Sequence, residues 1–340
     1  MFSVIVPTYN RPDALQLVLQ GYQLARGVSF ELIVADDGST EETAKLVAAM
    51  AKRVDFPLHH VWHEDRGFRA AAIRNLAVRR ATGDVLVFAD GDCIPHPDFL
   101  AAHARVCRRG WASSGYRFFL SPAESDRLLR SRECSPRWLE AAARRARWPQ
   151  RLLWMKNRWY TGTGLKIRPK FLTANVAVHR LDFEEVNGFD ERFQGWGYED
   201  EDLARRLRRI GIRLHDVCLH SLVYHLFHYV HESHRPSVRG SANRAYFLRN
   251  SYLTAPLRGL RERAASDLRF RFLGDVPESL QAVEFEADPE VIVQFTEGHD
   301  LSTSAVATVV VSVSPKDVRN IDELYGLLTT QLGENFKLPG

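Results

Sequence analysis

Short apolar runs alternate with stretches of helical periodicity over the first 90 residues, and this alternation strongly limits the folds open to the chain. The runs predict strands at residues 2–6, 30–35, 58–62 and 85–89. The spacing between them predicts helices at residues 13–25, 41–53 (with Thr40 as its N-cap) and 67–81. Strands that alternate with helices usually form parallel sheets through right-handed crossovers. We therefore predict an α/β fold with a mixed, mainly parallel sheet flanked by helices.

Polar residues follow these strands where each one ends. Thr8 follows the first strand, Asp37 follows the second, and Asp90-Gly91-Asp92 closes the apolar run at 85–89. Because the carboxyl ends of parallel strands share one edge of a sheet, these residues should line a ligand-binding crevice. Two carboxylates one residue apart can hold a divalent cation, and a cation can hold a diphosphate. The alternative for the pair is a simple turn, since Asp and Gly favour turns for local reasons.

Two separated blocks of motifs carry a family resemblance. The first consists of residues 6–10 (VPTYN), 35–39 (ADDGS), 74–75 (RN) and 90–92 (DGD). It resembles the nucleotide-sugar half of family 2 glycosyltransferases, which have the Rossmann-like GT-A fold. The second block consists of residues 187–191 (NGFDE) and 195–202 (GWGYEDED). It resembles the acceptor segment shared by β-1,4-galactosyltransferases and bacterial chondroitin-type polymerases.

This resemblance covers roughly residues 2–255 and implies a domain organisation. A GT-A domain would occupy residues 1–260, with a nucleotide-sugar half at 1–100 and an acceptor half at 101–260. Residues 266–340 lie outside the resemblance, and their composition predicts a small, β-rich α+β accessory unit for partner contacts or packing. Its clearest elements are a strand at 305–313 and an amphipathic helix at 321–328. Residues 321–340 resemble the opening helix and loop of barstar-type domains, but we expect no complete domain of that type.

The resemblance also implies a donor site, made of Pro7, Thr8, Tyr9, Arg11, Asp37, Arg74, Asp90, Gly91 and Asp92. Asp37 would accept a hydrogen bond from the nucleotide base, and Thr8 would contact the base mostly through its backbone. Arg11 and Arg74 would face the diphosphate, because guanidinium pairs well with phosphate oxygens. Asp90 would be directed toward the sugar or ribose. The structural alternatives are a turn role for Asp37 and an internal salt bridge for Arg74.

Asp92 and His225 are the metal ligands that the resemblance implies, with Mn²⁺ (or Mg²⁺) as the cofactor. Oxygen ligands together with one imidazole suit Mn²⁺. His225, His228, His231 and His234 recur every three residues. That spacing also suits a zinc cluster, but no cysteine pair accompanies it. The motif favours His225 over His228 as the ligand.

Asp200 matches the general base of the related enzymes, and the implied acceptor site comprises Trp196, Gly197, Glu199 and Asp200. Trp196 would offer its face to an acceptor sugar, since the flanking glycines indicate a loop rather than a core position. Acidic residues are also common in the first turn of a helix, where they complement its dipole. Neighbouring carboxylates would raise the pKa of Asp200, while the helix N-terminus would lower it.

Charge and composition bear on partners and compartment. The formal net charge of +4 is mild, and we expect no nucleic-acid partner. Residues 137–159 concentrate Arg and Trp, which suits peripheral contact with an anionic membrane surface or, alternatively, a solvated basic helix. No run approaches the ~20 apolar residues of a spanning helix. The N-terminal core strand does not resemble a signal peptide, and the four cysteines show no paired spacing. We therefore expect a cytoplasmic protein, with peripheral contact at the inner face of the membrane as one of the two interpretations of residues 137–159.

Together these features predict a metal-dependent, inverting glycosyltransferase. It would move a hexose or N-acetylhexosamine from a UDP-sugar to a glycan or lipid-linked acceptor, in bacterial surface polysaccharide synthesis. A nucleotidyltransferase is one alternative, because such enzymes also use carboxylates, a metal and a nucleotide fold. A non-catalytic carbohydrate- or protein-binding module is the other. The acceptor block counts against the first alternative, and the intact Asp92, Asp200 and His225 count against the second.

Overall fold

The computed structural model describes residues 1–228, 242–249, 254–268, 270–274, 276–277, 280, 291–295, 309–313, 318 and 321–334. The strands are β1 (Phe2–Thr8), β2 (Phe30–Asp36), β3 (Leu58–Trp62), β4 (Val85–Phe88), β5 (Cys93–Pro95), β6 (Trp111–Ser114), β7 (Tyr116–Phe119), β8 (Val176–His179), β9 (Arg213–Asp216), β10 (Leu222–His225), β11 (Phe270–Gly274), β12 (Val291–Phe295) and β13 (Val309–Val313). The helices are α1 (Pro12–Gln23), α2 (Glu41–Ala51), α3 (Ala70–Arg80), α4 (Phe99–Ala104), α5 (Pro122–Ser131), α6 (Pro136–Thr163), α7 (Arg180–Glu185), α8 (Glu199–Arg209), α9 (Ala242–Arg249) and α10 (Ile321–Glu334).

The central sheet has seven strands in the order β3-β2-β1-β4-β8-β6-β9. Strands β3, β2, β1 and β4 run parallel to one another, and β8 runs antiparallel to both β4 and β6. Every residue of β2 is buried, as expected for a strand covered by helices on both faces. The predicted mixed, mainly parallel sheet flanked by helices is therefore confirmed.

Alternation along the strands supplies a separate apolar core to each face of the sheet. Val4 and Val6 belong to a cluster that includes Leu15 of α1, whereas Ile5 belongs to a cluster that includes Ile73 of α3. Successive strand side chains point to opposite faces, so one short strand serves both cores. The sheet is thereby fixed between two helical layers, and only its strand ends remain available for chemistry.

The predicted elements of the first 90 residues are present, with shifted bounds. Helix α3 begins at Ala70 rather than at residue 67, because Gly67 adopts a left-handed φ of 81° and donates its N–H to Asp65. A residue with positive φ cannot continue a right-handed helix. Thr40 does occupy the N-cap of α2, but its side chain makes no capping hydrogen bond.

A second, three-stranded sheet in the order β5-β10-β7 lies beside the central one. In it β10 pairs antiparallel with β5, so that His225 is opposite Cys93, and parallel with β7. Cys93 directly follows the Asp90-Gly91-Asp92 motif. This pairing therefore carries a residue from late in the chain to the end of β4.

The C-terminal segment contains a parallel sheet, β11-β12-β13, and helix α10. The strand predicted at 305–313 is observed as Val309–Val313, while 305–308 lie outside the described residues. Helix α10 runs beyond the predicted residue 328 to Glu334, and 335–340 also lie outside. The apolar cluster of this segment includes Phe193 and Tyr246. Among the described helices, none is long and apolar enough to span a membrane.

Candidate active site

The ends of β1 and β4 touch through their backbones. A Cβ added to Gly91 would lie 2.3 Å from the Pro7 carbonyl oxygen, so only glycine fits at this approach. The Asp37 N–H donates to the Thr8 carbonyl at 3.0 Å, which joins the end of β2 to the same edge. The Thr8 hydroxyl is buried with no hydrogen-bond partner among the described atoms. These strand ends form the polar edge that the sequence predicted.

Asp37 is buried at this edge with both carboxylate oxygens engaged. His63 Nε2 lies 2.5 Å from Oδ1, and the Arg69 N–H donates to Oδ2 at 2.9 Å. Sequence analysis identified neither partner, because neither lies in a recognised motif. The neighbouring Tyr9 is half exposed and donates its hydroxyl to Asp65 at 2.8 Å. Hydrogen bonds from backbone and imidazole hold the Asp37 carboxylate in one orientation.

Arg11 lies at the start of α1 rather than among the site carboxylates. Its Nε donates to Asp13 at 3.3 Å, and it occupies the N-cap position without a side-chain capping bond. An exposed ion pair of this kind contributes little to stability and leaves the guanidinium easy to redirect.

Asp92, His225 and His228 form a cluster whose ligand atoms all lie within 4.8 Å of one another. The two Nε2 atoms are 3.5 Å (His225) and 3.2 Å (His228) from Asp92 Oδ2. One carboxylate and two imidazoles suit a divalent transition metal such as Mn²⁺, so these residues fit the implied cofactor. The structure brings both candidate histidines to Asp92, whereas His231 and His234 lie outside the described residues.

The protonation of this cluster favours cation binding. Burial opposes ionisation of Asp92, but the hydrogen bond from His228 and the charge of His225 outweigh it and lower the pKa of Asp92. Burial lowers the pKa of His225 despite the nearby Asp92 carboxylate. An ionised carboxylate and a neutral imidazole are the forms that bind metal.

Arg74 lies between the donor edge and the acceptor block. Its side chain is buried, with Nη2 3.4 Å from Asp90 Oδ1 and Nη1 3.5 Å from Glu199 Oε1. The guanidinium also lies over the Phe189 ring, 5.6 Å from its centroid. The internal ion pair considered from the sequence is therefore present, and it extends to a second carboxylate. We call this Asp90–Arg74–Glu199 arrangement the Arg74 bridge.

A second cation, Arg117 of β7, also reaches Asp90, with Nη1 3.7 Å from Oδ2. Burial raises the pKa of Asp90, while Arg74 and Arg117 act in the opposite direction. Sequence reasoning missed Arg117, because its segment contains no motif and only the pairing of β7 with β10 delivers it.

Asp200 occupies the first turn of α8, next to the Arg74 bridge. Its carboxylate accepts hydrogen bonds from the Thr173 N–H at 3.0 Å and the Thr173 hydroxyl at 2.9 Å. Burial, followed by the charge of Glu199, raises the pKa of Asp200 to about 7, although Arg74 and Thr173 favour the ionised form. Burial also raises the pKa of Glu199. A carboxylate with a pKa near neutrality is suited to general-base catalysis.

Trp196 is 58% exposed in the loop that leads into α8. It lies between Gly195 and Gly197, whose φ values of 75° and 97° are left-handed, as the predicted loop requires. The Gly197 carbonyl accepts a hydrogen bond from Asn243 at 3.0 Å. An exposed indole in a loop directly before Asp200 can offer its apolar face to a sugar ring.

Residues behind the site have structural roles. Arg206 is almost fully buried, pairs with Asp202 at 2.7 Å, and donates to the carbonyls of Val186 and Gly188 at 2.6 Å each. Asp202 is thus an ordinary first-turn acidic residue that also anchors the NGFDE turn. Asn175 has a comparable role, since its side chain bonds His103, Ser221 and Tyr116 at the end of the sheet.

Two family models match this chain, with the site residues divided between them. Residues 3–159 match the model described as glycosyl transferase family 2, and residues 166–232 match the N-terminal domain of galactosyltransferase. The chain is therefore similar to glycosyl transferase family 2 over residues 3–159. The first match contains the donor edge, and the second contains the acceptor block together with His225 and His228, so the resemblance of both motif blocks is confirmed.

Named relatives of this chain are glycosyltransferases. Validoxylamine A glucosyltransferase of Streptomyces hygroscopicus subsp. limoneus is 34% identical over 229 residues, which cover 62% of this chain and 49% of the relative. Hyaluronan synthase of Pasteurella multocida is 28% identical over 226 residues, which cover 62% of this chain and 23% of the relative. The chain thus spans about half the length of the first relative. Among solved structures, the mannosyltransferase PcManGT from Pyrobaculum calidifontis, in complex with GDP-Man and Mn²⁺, aligns at 23% identity with a TM-score of 0.48, covering 74% of this chain and 62% of that one.

Proposed function

We propose that the chain is a metal-dependent, inverting glycosyltransferase that uses a UDP-sugar donor. The observation that carries this proposal is the Arg74 bridge, because it holds Asp90 of the donor edge beside Glu199, the neighbour of the candidate base Asp200. The candidate residues for donor binding and for proton removal therefore lie in one crevice. The match of residues 3–159 to the family 2 model and the relatives' names, glucosyltransferase and hyaluronan synthase, support sugar transfer as the reaction.

On the donor side, Asp92, His225 and His228 would hold the Mn²⁺ or Mg²⁺ ion. A divalent cation bound there supplies positive charge that neutralises the diphosphate as it leaves. Arg74, and Arg11 after release from Asp13, would face the phosphates. The remaining donor contacts would come from the base partners Asp37 and Thr8, from the sugar or ribose partner Asp90, and from the backbone and ring at Pro7, Tyr9 and Gly91.

On the acceptor side, Trp196 and Gly197 would hold the acceptor sugar, with Glu199 at the edge of the subsite. Asp200 would take the proton from the acceptor hydroxyl as its oxygen bonds to the anomeric carbon. The bond from that carbon to the diphosphate breaks in the same displacement, so the anomeric configuration inverts. Holding both reactants in line can lower the activation barrier by about 7–11 kcal/mol in well-oriented systems.

We further propose that the donor sugar is a hexose or N-acetylhexosamine and that the acceptor is a glycan or lipid-linked saccharide of a bacterial surface polysaccharide. The name hyaluronan synthase among the relatives supports a polysaccharide product. A cytoplasmic reaction is supported by Cys93, Cys107, Cys134 and Cys218, which are all buried and unpaired.

The test is release of free UDP from a panel of UDP-sugars, with and without Mn²⁺. We expect release only with the metal, and no metal-dependent release from Asp92→Ala. Asp84→Ala changes an exposed carboxylate of the same type outside the site and should behave as wild type. Metal-independent release, or an active Asp92→Ala enzyme, would contradict the metal assignment. Absence of release with every donor would instead favour a non-catalytic binding module.

The two histidines give a sharper prediction for the same cluster. Calorimetry of Mn²⁺ in the presence of UDP should show weaker metal binding for His225→Ala and for His228→Ala, because each Nε2 lies within 3.5 Å of Asp92 Oδ2. Loss of a group that merely orients a ligand commonly lowers metal affinity by about 10–100-fold, so loss of a ligand should lower it at least as much. Unchanged affinity in one variant would assign the ligand role to the other histidine.

A further inference from the structure

Helix α6 has an outward face that the proposed reaction does not use. We propose that this face and the cleft beside it dock the protein onto an anionic lipid bilayer. The apolar side chains would enter the interfacial region, and the arginines of the cleft would bind lipid phosphate. The proposal is independent of the sugar-transfer assignment, because none of the residues involved contributes to the donor or acceptor site.

The first observation is an apolar stripe along α6, which consists of Trp148, Leu152, Met155 and Trp159. Their spacing of four, three and four residues places them on one face of the helix. Their side chains are 49–65% exposed. The opposite face is anchored in the core by Leu139, Ala142 and Ala146. The stripe is therefore held outward by the fold, and contiguous exposed apolar surface of this kind marks an interaction site.

The stripe continues into the segment after α6. Leu165 and Ile167 are 66% and 67% exposed there, alternating with Lys166 and Arg168. Two tryptophans near the ends of an apolar stripe, followed by alternating aliphatic and basic residues, are typical of chains that lie in a membrane interface.

The second observation is a cleft of about 560 Å³ between α4 and α6. Its lining is rich in basic side chains: Arg105, Arg144, Arg147, Arg151, His96 and His220. Asp98 and Glu140 are the acidic residues in the lining. Within the described part of the chain, none of the four guanidinium groups forms an ion pair. Guanidinium groups left unpaired in a cleft are suited to bidentate binding of phosphate oxygens.

The stripe and the cleft share a border. Arg144 lies four residues before Trp148, and Arg151 lies four residues before Met155, so each arginine neighbours a member of the stripe. A planar surface that contacts the stripe would therefore also meet the arginines. Apolar insertion and phosphate binding would take place at the same interface.

Charge complementarity identifies the occupant as an anionic bilayer. Helix α6 carries six arginines and one lysine against a single glutamate. A second copy docked through the same face would bring two positive fields together, which is unfavourable. A bilayer containing acidic lipids offers both an apolar layer for the stripe and a negative surface for the arginines.

The test measures binding of the full-length protein to vesicles by flotation. Phosphatidylcholine vesicles are compared with vesicles containing about one-third phosphatidylglycerol. We expect binding to the anionic vesicles, weakened by salt as screening predicts. The double variant Leu152→Glu/Met155→Glu should bind at least about tenfold more weakly, because two apolar side chains no longer transfer out of water. Leu181→Glu, a change at a similarly exposed leucine of α7, is the matched control and should bind as wild type.

A second variant, Arg105→Gln/Arg147→Gln, tests the cleft while leaving the stripe intact. It should lower binding to anionic vesicles and leave the weak binding to neutral vesicles unchanged. Circular dichroism checks that each variant is folded. Calorimetry with inorganic phosphate tests whether the cleft binds a free anion rather than the phosphate of a lipid headgroup.

Three results would overturn the proposal. One is wild-type protein that does not bind anionic vesicles at low salt. Another is a dimer that Leu152→Glu/Met155→Glu converts to a monomer, which would make the stripe a contact between copies. The third is phosphate binding that Arg105→Gln/Arg147→Gln removes without changing vesicle binding, which would assign the cleft to a free anion.

Discussion

Asp200 combines a position beside the Arg74 bridge with a pKa raised to about 7, and both properties lead to one prediction. Asp200→Asn should leave UDP-sugar binding nearly intact and lower turnover by roughly 10²–10⁴-fold, the range typical of losing a general base. In the wild type kcat/KM should fall as the pH drops below about 7, because the carboxylate becomes protonated. That acidic limb should be absent from the residual activity of the variant.

Stability gives an independent readout for the same substitution. The folded-state pKa of Asp200 lies above its ordinary value of 3.8, so the stability it contributes is present below that value and is lost as the pH rises to about 7. Asp200→Asn should therefore unfold at a higher temperature than the wild type above pH 7. Thr173→Val is a second variant for the same carboxylate. It removes the hydrogen bond from the Thr173 hydroxyl to Asp200 and should raise the pKa of Asp200 further. If Asp200→Asn retained turnover within a few-fold of wild type, Glu199 would be the better candidate for the base, because Asp202 is buried against Arg206.

The candidate site residues predicted from the sequence share one property. Asp37, Asp92 and Asp200 lie in motifs at the ends of predicted elements, where local sequence and family resemblance coincide. Arg117 and Thr173 were missed because they reach the site only through tertiary pairing, of β7 with β10 and of the segment before β8 with α8. A sequence read along the chain carries no signal for such contacts.

At the scale of elements, the NGFDE turn depends on Asn187. This residue has a left-handed φ of 58°, and its side chain bonds the carbonyls of Pro256 and Arg261 and the N–H of Arg261. Asn187→Ala should lower the free energy of unfolding by roughly 2–4 kcal/mol, since it leaves buried groups unpaired and places alanine in a left-handed conformation. Chemical denaturation measures the change.

Asn187→Gly separates these two causes, because glycine tolerates the positive φ but cannot make the bonds. We expect it to recover only the conformational part of the loss, on the order of 1 kcal/mol. Equal stability of Asn187→Gly and wild type would mean that the side-chain bonds contribute nothing, contrary to their burial.

The helices and strands of the first 90 residues were predicted largely from the periodicity of their apolar residues. All four strands predicted in the first 90 residues form. Three are short apolar runs, while β3 contains His59 and His60 and lies at the edge of the sheet. The errors lie at helix bounds. Helices α1 and α2 end two residues before the predicted 25 and 53, and α3 starts late because the backbone conformation of Gly67 overrides a sequence compatible with helix. The antiparallel placement of β8 between β4 and β6 was not predicted, because strand order depends on contacts between distant segments.

At the scale of the whole molecule, the tail is joined to the acceptor half through shared apolar packing. Phe193 and Tyr246 belong to the same cluster as Phe272 and Phe295 of the C-terminal sheet. Truncation after Ala264 should therefore expose aromatic surface and destabilise the remaining protein by several kcal/mol, on the order of ~1.5–3 kcal/mol per side chain exposed. Differential scanning calorimetry of the truncated and full-length chains measures this loss.

Leu273→Ser in the full-length chain is the matched control, because Leu273 is an exposed residue of the same sheet and should tolerate the change. A truncated chain that melts at the full-length temperature would show that the tail is a separate folding unit. Full transferase activity in that truncated chain would support the predicted boundary near residue 260.

The candidate site draws on segments that extend from Pro7 to His228, and the Arg74 bridge joins the donor half to the acceptor half. Local opening of either half would remove groups that a nucleotide needs. Binding free energy should consequently be shared by the whole cooperative unit, so that UDP with Mn²⁺ slows proteolysis and hydrogen exchange even in strands remote from the crevice. Binding at the donor site would thus be detectable as slower proteolysis and slower hydrogen exchange across the entire central sheet.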